Sequence, residues 1–125
     1  MNLWVLSAGI IGLCTALIHI LAGQIDPVRP FLRTNLPDVQ KATLLASWHM
    51  VSVILCILAT FLVYVGWVDQ QGLYQVVAGI SLIFVTFSLV FILVGWFFFG
   101  YRSFINLPQW SLLLPIGTLG LIGVI

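Results

Sequence analysis

The chain has 125 residues, 62% of them hydrophobic and only 6% charged, with a mean hydropathy of +1.24. That balance excludes a water-soluble fold, because soluble domains are about half apolar and about a quarter charged. The formal charge of +1, with no cluster of Lys and Arg, also excludes a nucleic-acid partner, which needs a run of cations to neutralise phosphates.

The length fits one domain, residues 1–125, and the composition predicts an all-α, polytopic membrane protein: a four-transmembrane-helix bundle. The start, Met1-Asn2-Leu3-Trp4, lacks the positive n-region of a secretory signal, so the first span is expected to be retained. Residues 3–23 form that span. Along it Ala8, Gly12, Thr15, His19 and Ala22 recur at steps of four and three, which places them on one helical face.

Residues 24–41 form a loop holding Asp26, Arg29, Arg33, Asp38 and Lys41, together with Pro27, Pro30 and Pro37. Asp26 is expected to cap a short turn led by Pro27, and Asn35 to cap the next helix with Asp38 three residues on, as in a capping box. Arg29 and Arg33, four apart, would share one side of a short helix and could hold a lipid phosphate or an anionic ligand. Topology and headgroup contact are the simpler reading of the same pair.

The second span covers residues 42–68. Its small residues Ala42, Ala46, Ser52, Cys56 and Ala59 fall at helical spacing with His49 among them, which predicts a stripe facing that of span one. His19 and His49 lie near the same end, close enough in depth for their rings to meet, with Trp48 beside them. Cys14 and Cys56 fall at different depths, whereas a disulfide needs Cα atoms within about 7 Å. They read as packing residues.

The third span covers residues 73–99 and is mainly apolar. The fourth, residues 110–125, reaches only about 24 Å against a hydrocarbon core of about 30 Å. It carries Pro115 and then Gly117, Gly120 and Gly123, a smooth face suited to close helix packing. Trp4, Tyr64, Trp67 and Tyr74 would ring one membrane surface, and Trp96, Tyr101 and Trp110 the other.

Arg29, Arg33, Lys41 and Arg102 all fall on one side of this topology. The excess of Lys and Arg marks the cytoplasmic side, which predicts an inner (plasma) membrane protein with outside termini and with loops 24–41 and 100–109 in the cytoplasm. The expected partners are the lipid bilayer and either further copies in a homo-oligomer or a larger membrane complex.

Ionisable residues inside membrane spans point to function by default, and here they are His19 and His49. The candidate ligand-binding set is His19, His49, Arg29, Arg33, Asp26 and Trp48. The first reading is an accessory or self-associating membrane subunit in which each ring bonds a hydroxyl or carbonyl and fixes helix register. A second is a small oligomeric transporter or channel using His19 and His49 at the cytoplasmic mouth. A third is a b-type haem protein with His19 and His49 as axial ligands.

No spacing of nucleophile, histidine and carboxylate suggests a triad, so no catalytic residue is assigned and an enzyme is not what the sequence favours. A zinc site lacks a third strong ligand at matched depth. No metal site is assigned apart from the two histidines in the haem reading.

Overall fold

A computed structural model describes residues 1–125 as helices and short connections, with no strand. The long helices are α1 (Leu3–Gly23), α3 (Asp38–Val68) and α4 (Tyr74–Phe99), and the shorter fourth is α6 (Trp110–Ile122). Two single turns, α2 (Arg29–Leu32) and α5 (Ser103–Asn106), lie in the connections. The helical segments Leu3–Leu32, Asp38–Val68 and Gln71–Asn106 are long and apolar enough to cross a membrane, and only 33%, 28% and 28% of their most apolar windows is buried within the bundle. The remaining apolar surface faces outward, where lipid is the compatible solvent.

α1 has the bounds read from hydropathy. Its N-terminus is capped by Asn2, whose side-chain oxygen accepts from the Val5 N–H at 3.2 Å, satisfying one of the donors that a helix start leaves free. A π-type turn, Gln24–Val28, follows, in which Asp26 adopts extended geometry (φ −146, ψ 117). Asp26 therefore breaks the helix, but its side chain caps nothing.

α3 starts at Asp38, earlier than the expected Ala42, and Asn35 does not cap it. Pro37 stands immediately before the helix at φ −56, ψ 150, with no side-chain cap bond. Proline disfavours helical geometry at the residue before it, so Leu36 stays outside the helix and Asn35 is too far upstream to cap it. The 31 residues of α3 extend about 46 Å, beyond a hydrocarbon core of about 30 Å, so the turn around Asp38 projects from the bundle. At its other end Asp69 closes the helix in left-handed geometry, φ 58, ψ 44, a region that Asp tolerates better than most residues.

After α4, Gly100 takes φ 56, ψ −136, a conformation essentially reserved for glycine. The chain folds back there, so that Ser103 of α5 packs on Gly95 of α4, where an added Cβ would come within 2.8 Å of the serine Cβ. α6 has 13 residues and stops at Ile122, short of the expected Ile125. Just past its end, the Gly123 carbonyl accepts from the Asn2 side-chain amide at 2.6 Å.

α1 packs along α3 and α6, and α6 along α4, whereas few Cα atoms of α3 and α4 come within 8 Å of each other. The four helices thus form an up-down-up-down ring in which α3 and α4 are the most widely spaced neighbours, with side chains of both in the shared core. The turn Asp69–Leu73 joins α3 and α4 at one end, so their separation lies toward the other. Close packing replaces hydrophobic driving force between membrane helices, and glycine makes it possible. An added Cβ at Gly9 would fall 2.5 Å from the Val63 backbone nitrogen, so the α1 and α3 backbones meet almost directly. Gly117 of α6 is set against the Ser81 carbonyl in the same way, at 2.6 Å.

The inner face of α3 runs through Leu45, Trp48, Ser52, Leu55, Ala59, Leu62 and Gly66, at alternating steps of three and four, and is buried from Ser52 onward. Ser52 and Ala59 of the expected small-residue stripe lie on it. Ala42, Ala46 and His49 are exposed, one position round the helix from the residues that face inward. On α1, Ala8, Gly12 and Thr15 are buried as expected, His19 is half-buried and Ala22 is exposed. Cys14 is exposed and Cys56 half-buried, both as free thiols.

At the end carrying the termini, a polar clasp ties all four helices. The Asn2 side-chain amide donates to the Tyr74 hydroxyl at 3.0 Å as well as to Gly123, and its backbone N–H donates to the Gly66 carbonyl at 2.8 Å. Tyr74 donates to Asp69 at 2.6 Å, and Asp69 pairs with the Met1 amine at 3.0 Å. The Tyr74 hydrogen bond and then the terminal amine hold the Asp69 carboxyl below the usual carboxylate range.

Candidate functional site

The opposite end of the bundle, where the charged loop lies, contains a cavity of about 390 Å³. Small-molecule sites commonly range from about 300 to 1,000 Å³. Its walls come from all four helices: Thr15, Ile18, His19 and Gly23 from α1, Trp48, Val51 and Leu55 from α3, Phe87 and Phe91 from α4. Pro108, Gln109, Ser111, Leu112 and Leu113, just before and within the start of α6, complete it, and Asp26 and Pro27 lie at its loop side. The α3 and α4 walls belong to the widely spaced pair of helices.

Most of this lining is apolar, so its few polar groups define what it can recognise. His19 stacks on Trp48 with ring centroids 4.1 Å apart and planes 13° from parallel. Its Nε2 lies 3.5 Å from the Trp48 carbonyl, which also accepts from the Ser52 hydroxyl at 3.1 Å. With the proton on Nε2 directed at that carbonyl, Nδ1 is the ring's acceptor. Gly23, one turn after His19, makes room for the indole: a Cβ there would overlap the Trp48 ring.

Other hydroxyls at the cavity are occupied by their own backbone. Thr15 donates to the Ile11 carbonyl at 2.9 Å, and Ser111 to the Pro108 carbonyl at 2.7 Å. Asp26 and Gln109 are exposed. Asp26 makes no ion pair, since the chain's one salt bridge joins Met1 and Asp69 at the far end.

Of the six residues singled out from sequence, His19, Trp48 and Asp26 come together at this cavity. His49, Arg29 and Arg33 are exposed and are not among its lining residues. The ring that meets His19 is Trp48, not His49. The angular step of about 100° per residue turns His49 off the inner face that Trp48 occupies. No group of three or more His, Cys, Asp or Glu side chains is arranged to hold a metal ion.

Phe87, Phe91 and Gln109 escaped the sequence reading, although a signal for the α4 wall exists. Val77, Ser81, Phe84, Ser88, Phe91 and Gly95 alternate steps of four and three, and all but the half-buried Phe91 are buried. Gln109 carries no comparable pattern, because its place depends on the fold-back through α5.

In comparisons with family models, curated proteins and solved structures, the chain matches none.

Proposed function

We propose that this chain is a ligand-binding membrane subunit, whose site is the cavity between the charged-loop ends of its four helices. The observation that carries the reading is the pocket itself: apolar walls from four helices around a stacked His19–Trp48 pair, in a volume suited to one small molecule. The wide α3–α4 spacing beside it is where a membrane-dissolved molecule would enter laterally. Arg29, Arg33 and Arg102 belong to the connections at this end and Lys41 to the first turn of α3, which supports a cytoplasmic mouth.

This reading keeps the binding role expected for His19 and moves its partner from His49 to Trp48. It is tested by equilibrium dialysis of protein in nanodiscs against three aromatic probes of similar body: cationic tetraphenylphosphonium, anionic tetraphenylborate and neutral triphenylphosphine oxide. Saturable binding of at least one, near one per chain and reduced by Val51→Trp in the α3 wall, is the expected result. Uptake of all three that never saturates and is the same in Val51→Trp means that lipid alone takes them up, and the reading fails.

The self-associating reading has one observation of its own. Gly79 of α4 is exposed, with nothing within 4 Å of where its Cβ would stand, whereas Gly9, Gly12, Gly66, Gly95 and Gly117 are all used in packing within the chain. A bare glycine on an outward helix face allows close approach by another helix. A shift from oligomer to monomer in Gly79→Leu, measured by mass photometry, supports that reading, and an unchanged mass counts against it.

A further inference from the structure

The cavity's charge and aromatic content narrow its ligand. Asp26 is the one charged residue along its lining, and it has no cationic partner within the chain. The wall beyond is aromatic, with Trp48 stacked on His19 from one side and Phe87 and Phe91 from the facing helix. A negative group at the loop side and aromatic side chains in the walls both favour a cation, the first through its charge and the second through the quadrupoles of the rings. An anion would meet the Asp26 carboxylate with no cation of the lining to offset it.

Arg29 and Arg33 give the loop a positive count, but both are exposed and absent from the lining. Asp26 is exposed as well, so solvent screens all three charges, and what sets Asp26 apart is that it alone contributes to the cavity lining. The His19 ring, with Nε2 directed at the Trp48 carbonyl, leaves Nδ1 as an acceptor. In that neutral tautomer the ring adds no positive charge to the lining.

We infer that the cavity takes a lipophilic organic cation, an aromatic or aliphatic body bearing a substituted ammonium or comparable positive centre, with the charge held toward Asp26 and the body among Trp48, Phe87 and Phe91. This rests on the ligand-binding reading above and names its ligand class. A cation of this kind dissolves in the bilayer well enough to enter between α3 and α4, and its centre is too weakly hydrated to resist transfer into the pocket.

The same three probes separate the ligand class from the site. The expected result is saturable tetraphenylphosphonium binding at least about tenfold tighter than tetraphenylborate or triphenylphosphine oxide, the discrimination that roughly one strong charge contact provides. Asp26→Asn should weaken the cation by about tenfold and leave the neutral probe unchanged, because the variant keeps the shape and removes the charge. Arg29→Gln should leave cation binding equal or tighter.

Saturable binding of the neutral or anionic probe at equal or greater affinity, blocked by Val51→Trp, overturns the cation class and leaves the cavity as a ligand site. The class is likewise overturned if Asp26→Asn binds the cation as tightly as the parent in protein of unchanged melting temperature. Absence of saturable binding by all three overturns site and class together. Should Asp26→Asn misfold, Asp26→Glu, which keeps the charge, replaces it: retained selectivity for the cation supports the assignment, and its loss refutes it.

Discussion

The His19 imidazole lies flat on the Trp48 indole, 4.1 Å between centroids, and Gly23 opens the space that the indole fills. Position 23 is therefore a lever on the cavity. Gly23→Ala should displace the Trp48 ring and cost about 1–3 kcal/mol, as overpacking of a tight contact does. Its melting temperature should drop, and any ligand bound at the cavity should be weakened. A variant with parental stability and binding would mean that the ring moves aside freely.

The α1–α3 crossing makes a graded prediction. Gly9 and Gly66 meet partner backbone, an added Cβ at Gly9 falling 2.5 Å from Val63 N and one at Gly66 overlapping Leu6 N, whereas Gly12 meets the Ala59 Cβ at 2.8 Å. Neither backbone nor an alanine Cβ can rotate away, so the grade follows from the distances and from the size of the added group. Gly9→Val and Gly66→Val should abolish stable folding, Gly12→Ala should lower stability modestly, and Gly72→Ala, with nothing within 4 Å, should be neutral. Thermal melts in one detergent rank the four, and a reversed order refutes the crossing geometry.

Two buried serines on α4 should behave oppositely. The Ser81 hydroxyl is buried without a partner, while that of Ser88 donates to the Trp110 carbonyl at 3.1 Å. Removing an unsatisfied polar group relieves a desolvation cost, and removing a satisfied one loses about 1 kcal/mol. Ser81→Ala should thus melt at or above the parent temperature and Ser88→Ala below it. Equal losses at both would show that Ser81 has a partner after all.

Asp69 gives the bundle an acid sensitivity with a defined sign. Its folded carboxyl is depressed by the Tyr74 hydrogen bond and then by the terminal amine. A depressed carboxyl contributes stability that is present above its unfolded value and is lost as pH falls through the folded one. The melting temperature should fall on acidification below the ordinary carboxylate range, and the fall should be shallower in Asp69→Asn. An identical acid limb in the two proteins would assign the loss to other groups.

The long helices were legible because a bilayer demands long, uninterrupted apolar runs. α1 matched its hydropathy bounds, and α3 differed only where Pro37 rather than residue polarity sets the start. Half of the site was legible too. His19 and Asp26 stood out as polar groups in an apolar chain, and Trp48 for its place near them.

What misled was using small size to find the inner face of α3. That picked Ala42, Ala46 and His49, whereas Leu45, Trp48, Leu55 and Leu62 share the inward heptad with the small Ser52 and Ala59. Membrane interiors hold large residues wherever a facing glycine, such as Gly23, leaves room. The Asn2 clasp was invisible for a different reason, since its partners Gly66, Tyr74 and Gly123 come together only once the four helices are assembled.

Five tryptophans lie along the chain, and only Trp48 lines the cavity together with Trp-free walls from the other three helices. The central claim is tested most directly by a chain in which Trp48 is the sole tryptophan, the rest being Phe, titrated in nanodiscs with the cationic, anionic and neutral aromatic probes. A matched chain keeps only Trp67, at the opposite end of α3. The account predicts a saturable change in Trp48 fluorescence with at least one probe and none that saturates at Trp67. Changes that rise together without saturation at both positions would contradict it.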